Sequence, residues 1–171
     1  TAANNWVLEN SGNTMIPGKG YAVRAPQGFT NTAQVYNGEF IGSPNNGNYN
    51  VSLIDHSIAG AYNFIGNPYP SAISVASLIN NSTIGTLYFW THNTAISNNE
   101  FTSDDYAVRT KLFGTAAVSG GTIPGAYVSA GQGFFASSSA NSTLTFTNAM
   151  RVSSNNTQFY RSTTSYSDPA Y

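Results

Sequence analysis

Apolar residues in this chain come in short runs that alternate with polar ones, and Gly, Asn or Pro soon interrupts each run. Period two is the pattern of a strand with one buried face. The segment STLTFT, residues 142–147, shows it most cleanly: Leu144 and Phe146 face one way, Thr143, Thr145 and Thr147 the other. In KGYAVRA, residues 19–25, Tyr21, Val23 and Ala25 share a side opposite Ala22 and Arg24. TLYFWT, residues 86–91, is apolar on both faces, with Leu87 and Phe89 against Tyr88 and Trp90. That predicts a central strand, or one whose outer face is covered. Further strands are expected over Gln34–Ile41, Tyr49–Ile54, Ala61–Ile65, Asp105–Arg109, Ala126–Ser129, Gly133–Ser137 and Thr157–Arg161. Helix is scarce. One short helix is expected near residues 74–80, SVASLIN, with Ser74 as its N-cap and Val75, Leu78 and Ile79 at helical spacing.

Just before that helix, NFIGNPYPSAIS (residues 63–74) places Pro68 and Pro70 on either side of Tyr69. Neither proline can donate to a sheet ladder, and each pushes the residue before it out of helical geometry. Gly66 and Asn67 tolerate positive φ. The chain must leave the sheet here and turn before the helix starts. An aromatic residue before Pro70 also suits a cis bond, a form found in ~5–6% of X-Pro bonds. Many short strands with turn signals between them specify an all-β fold, read as a two-sheet antiparallel sandwich, jelly-roll-like.

Charge narrows the function. Asp, Glu, Lys and Arg make up 8% of the 171 residues, against a typical ~25%. Disorder is not expected, because 40% hydrophobic and 13% aromatic content can bury enough area to offset chain entropy. Six scattered basic residues and a net charge of -1 give no track for a phosphate backbone, so nucleic acid is not expected as a partner. No apolar run approaches the ~20 residues of a membrane span, so membrane insertion is not expected. Without cysteine there is no disulfide, thiol nucleophile or thiolate metal site. The beginning, TAANNWVLEN, has neither the basic start nor the apolar centre of a signal peptide, and the chain is expected to be a mature product or an excised piece.

An internal echo links PGKGYAV (17–23) and AGQGFFA (130–136): both take a Gly-x-Gly-aromatic step into a strand. Two related half-sheets facing each other would produce it. The ordered set PGKGYAV, YNFIGNPYPSAIS, GTLYFWTHN, DDYAV, SAGQGFFA and FTNAMR begins at Pro17 and ends at Arg151, within a resemblance that runs from about Pro17 to Arg161. It resembles a β-rich module of large secreted Bacteroidetes cell-surface proteins exported by the type IX secretion system, from the region upstream of the sorting domain. The resemblance implies an extracellular or cell-surface location and a multidomain parent; it implies no activity. The sorting domain's own pattern is not visible in SSNNTQFYRSTTSYSDPAY, residues 153–171. Residues 1–161 are read as a single sandwich module and 162–171 as a Ser/Thr/Tyr tail, a linker or an added edge strand.

Few residues offer chemistry. Asp104 and Asp105 are adjacent, and strand neighbours point to opposite faces, so they do not form the facing carboxylate pair of a glycosidase. The expected role is a turn held by carboxylate-to-backbone bonds. SNNEFTSDD also offers hard oxygen ligands, and Glu100, Asp104 and Asp105 form the candidate metal site, with calcium the one cofactor that suits it. The two histidines, His56 and His92, lie in no catalytic motif. The glycines of GKG and GQG open strands rather than helices, and are expected to permit a bulge or close strand approach. Among the aromatics, Phe64, Phe89, Phe134 and Phe146 are expected to fill the core. Trp90, Tyr88 and Tyr69 are the candidate ligand-binding residues, since amphipathic rings suit sugar stacking. The expected function is a non-catalytic structural or adhesion module of a bacterial surface protein, partnered by neighbouring modules. The alternative is a carbohydrate-binding module attached to a polysaccharide-degrading enzyme.

Overall fold

The computed structural model describes residues 7–10, 12–23, 28, 39–55, 62–94 and 102–158. Nine strands and one helix are assigned there: β1 (Tyr49–Leu53), β2 (Asn63–Gly66), β3 (Ile73–Ser74), α1 (Val75–Asn80), β4 (Ile84–Trp90), β5 (Tyr106–Arg109), β6 (Gly114–Thr115), β7 (Tyr127–Val128), β8 (Gly133–Ser138) and β9 (Ser142–Phe146). All pairings are antiparallel. One sheet has five strands in the order β2-β8-β4-β5-β6, and β1-β9 and β3-β7 form two-stranded ribbons. The fold is an all-β sandwich. Its second layer, among the described residues, is the two ribbons and α1 rather than one continuous sheet.

Alternation sets the core. Ile65, Leu87, Phe89, Phe134 and Ala136 point inward from the five-stranded sheet. They meet Leu53, Leu144 and Phe146 of the β1-β9 ribbon, Ile73 and Val128 of the other, and Val75 and Leu78 of α1. Each large apolar side chain buried this way contributes ~1.5–3 kcal/mol. β4 is the middle strand of its sheet, as its doubly apolar sequence predicts. Ser74 caps α1, its side chain accepting from the Ser77 N–H at 3.3 Å. β3 and β6, two residues each, are too short to carry a period and escape sequence reading.

Asn67 builds the turn after β2. Its Nδ2 donates to the carbonyls of Ser71 (2.9 Å), Val128 (3.2 Å) and Ser129 (2.9 Å), and its Oδ1 accepts from the Tyr69 N–H at 3.1 Å. One amide thus ties the turn to the end of β7. No cis peptide occurs among the described residues, so Tyr69–Pro70 is trans.

The Gly-x-Gly echo has a structural counterpart, though not as two facing sheets. Both arms flank β2 within one sheet. On one side the Gly20 N–H donates to Phe64 O (3.0 Å), the Gly66 N–H donates to Gly18 O (2.9 Å), and Lys19 bridges Ile65. On the other, β8 pairs Phe134 with Ile65 and Gly133 with Gly66. Gly18 and Gly131 both take positive φ, +87° and +67°. The space confirms close approach: a Cβ on Gly20 would lie 2.6 Å from the Phe64 ring, and one on Gly133 would lie 3.1 Å from it. The strand expected over KGYAVRA reduces to that single bridge, because the chain leaves the β2 edge after Gly20. Its last two residues, and most of Gln34–Ile41, lie outside the described residues. At Thr157–Arg161 the described part belongs to a 3₁₀ turn, Asn156–Gln158, after Asn155 at φ +72°.

Candidate functional site

The face of the five-stranded sheet that points away from the core is aromatic. Strand register places Phe64 opposite Phe135, Phe135 opposite Tyr88, and Tyr88 opposite Val108, a row crossing β2, β8, β4 and β5. Trp90 and Tyr106 form the next cross-strand pair. The rings interlock: Phe64 stacks on Phe135 at 4.4 Å, Tyr106 meets Phe135 edge-on at 5.6 Å, and Tyr62 lies 4.9 Å from Tyr88. Aromatic contacts of this kind add ~0.5–1.5 kcal/mol each beyond area burial. Burial pushes the phenols of Tyr62 and Tyr106 above their ordinary range; Tyr88 adds to the first and the Asp105 carboxylate to the second.

Two of the three candidate ligand-binding residues, Tyr88 and Trp90, belong to this face and are half-buried. Trp90 stacks on His92 at 4.7 Å, where φ of +50° turns the chain out of β4. Tyr69 does not belong to it. It is 2% exposed, its hydroxyl donates to Gly47 O at 2.7 Å, and it packs edge-on against Tyr49 and Phe146 with Arg151 over its ring. The two prolines fix a turn that drives the ring inward, so Tyr69 is a core residue. Phe64 moves the opposite way: expected in the core, it lies on the outer face. The remaining members, Phe135, Tyr106, Val108 and Tyr62, are not singled out as binding residues by the sequence pattern. The Phe134-Phe135 pair carried the signal, since neighbours on a strand cannot share a face.

Of the candidate metal ligands, Asp104 is exposed and Asp105 fully buried, so the pair cannot act on one substrate bond. Asp105 Oδ2 accepts from the Thr94 N–H (3.2 Å) and Oγ1 (2.7 Å), the expected carboxylate-held turn. Glu100 and His56 lie outside the described residues. Among those described, no three acidic or histidine side chains gather to hold a metal. No described helix is long and apolar enough to cross a membrane. A groove of about 530 Å³ lies beside the Asn67–Pro70 turn, walled in part by Met15, Ile16, Phe40 and Ile41.

The chain belongs to the family described as Domain of unknown function (DUF8693), whose profile matches residues 1–169. Neither a curated protein nor a solved structure matches it.

Proposed function

We propose that the chain is a non-catalytic structural module of an extracellular multidomain protein, held to neighbouring modules through the outer face of its five-stranded sheet. The observation that carries this reading is the make-up of that face. A sandwich sheet that faces water alternates to polar residues on that side. Here Phe64, Phe135, Tyr88 and Val108 cross four strands, with Trp90 and Tyr106 alongside. An uncharged aromatic centre is the composition of protein interface cores. The small charge complement leaves little long-range steering, so contact and shape must hold the partner. The unequal exposure of Asp104 and Asp105 speaks against a carboxylate-pair hydrolase. Bacterial surface location, an adhesive role and type IX export rest on the ordered motifs alone.

A carbohydrate-binding role is second. Trp90 on His92 and the paired phenols of Tyr62 and Tyr88 favour it, as rings beside hydrogen-bonding groups. Phe64, Phe135 and Val108 of the row give a sugar a surface but no side-chain hydrogen bond. A glycan array beside a binding assay with the adjoining modules of the parent protein separates the two readings. Binding to a module, lost in Tyr88→Lys, supports the first. Strong glycan hits lost in Trp90→Ala, with no module binding, replace it with the second.

A further inference from the structure

We propose that the junction between the end of β4 and the start of β5 binds a hard divalent cation, calcium in preference to magnesium, at the Oδ1 atoms of Asp105 and Asn93. Charge is the first consideration. Asp105 is 0% exposed, and its Oδ1 is buried without a hydrogen-bond partner. The ion pair found among the described residues joins Lys19 to Glu9, so no basic side chain there compensates this carboxylate. A carboxylate buried without a counter-charge is costly, and a bare oxygen adds to the cost.

Asn93 supplies an independent observation. Its Nδ2 donates to Gly120 O at 2.8 Å and to Ser119 Oγ at 3.4 Å, which fixes which way the amide faces. The other end, Oδ1, is likewise buried without a partner. Both oxygens belong to one knot of three loops. The Thr91 N–H and Oγ1 donate to Asp105 O at 2.8 Å, and Thr94 holds Oδ2, so the 91–94 bend wraps Asp105. The Ser119 N–H donates to Asp104 O at 3.0 Å, which ties in the loop that Asn93 grips. Two acceptors, one of them a carboxylate oxygen, are thus held in this knot with no hydrogen bond from the described residues. Water would satisfy the acceptors and leave the charge; a cation answers both.

Calcium accepts mixed carboxylate, amide and carbonyl oxygens in irregular shells, whereas magnesium demands a regular octahedron and keeps its waters. With no third acidic or histidine ligand among the described residues, main-chain carbonyls and water must complete the shell. A single carboxylate places the affinity in the weak range of extracellular modules, Kd roughly 10⁻⁴–10⁻³ M.

Terbium titration of the full chain tests this, because Trp90 lies beside Thr91 and pairs across the sheet with Tyr106, giving a nearby antenna. The expected result is saturable sensitised emission that calcium displaces and magnesium does not. Calcium should also raise the unfolding midpoint by several degrees over chelator. Asn93→Ala should weaken binding by about tenfold, and Asp105→Asn should abolish it. If Asp105→Asn does not fold, the wild-type titration and Asn93→Ala decide alone. No displaceable emission, a response equal for magnesium, or binding unchanged in Asn93→Ala overturns the proposal.

Discussion

At the scale of single residues, Asn67 does more for the architecture than any group that looks chemical. It is 5% exposed, donates to three carbonyls and accepts from one N–H. Asn67→Ala would leave several buried polar groups unsatisfied, at ~1–3 kcal/mol each before relaxation. We expect a loss of ~2–3 kcal/mol, read as a lower urea midpoint at unchanged slope. A loss below ~0.5 kcal/mol would mean that the amide only decorates a turn fixed by its prolines. Pro70→Ala, in a trans bond on an exposed residue, should cost only ~0.4–1 kcal/mol through unfolded-state entropy. A larger loss would give the proline a packing role that its exposure denies. NPYP was readable as a stop in the sequence. That Asn67 reaches Val128 and Ser129, 61 and 62 residues away, was not, because the partners are main-chain carbonyls that any residue provides.

At the scale of elements, two glycine arms hold one strand. Gly20 and Gly133 approach the same Phe64 ring from the two sides of β2, which leaves no space for a methyl group on Gly20. Gly20→Ala is therefore expected to cost ~1–3 kcal/mol as overpacking. In a Phe64→Ala background that cost should largely vanish, since the two changes share one contact. A full cost in both backgrounds, measured by a double-mutant cycle in denaturant, would place the strain in the backbone instead. The echo itself was legible, but its placement was not: short repeats say that two segments behave alike, not which strand lies between them. Strands with clean alternation, such as β1 and β9, were legible because one face meets the core and the other solvent. Phe64 and Tyr69 defeated the same logic. Whether a ring at the end of a run turns in or out depends on the turn that follows, and here Tyr69 turns in under Pro70 while Phe64 stacks outward on Phe135. TLYFWT did announce both of its faces; what it left open is what meets the outer one.

At the scale of the whole molecule, the low charge and the aromatic sheet face point the same way. The combination suits a module that works by contact. The double substitution Asp104→Ala plus Asp105→Ala should lower stability, because it empties a buried, hydrogen-bonded carboxylate position. It should change no polysaccharide hydrolysis; turnover by the purified chain that vanishes in this variant would contradict a non-catalytic role. Deleting Ser162–Tyr171, in the tail read as a linker or added strand, is expected to weaken contact between modules more than any contact with glycans. A deletion without effect on module contact would leave the sheet face as the whole surface.

The most direct test of the account is a calorimetric titration of the adjoining module of the parent protein into this one, at low and high salt, for the wild type and for Tyr88→Lys. Tyr88 lies in the middle of the aromatic row, half-buried, where a lysine would set a charge among rings without entering the core. Docking through this face predicts binding that salt barely changes, with a negative heat-capacity change from apolar burial, and its loss in Tyr88→Lys while the chain still unfolds in one transition, its midpoint lowered only by the missing contact with Tyr62. Binding that salt abolishes, or that Tyr88→Lys leaves intact, would contradict it.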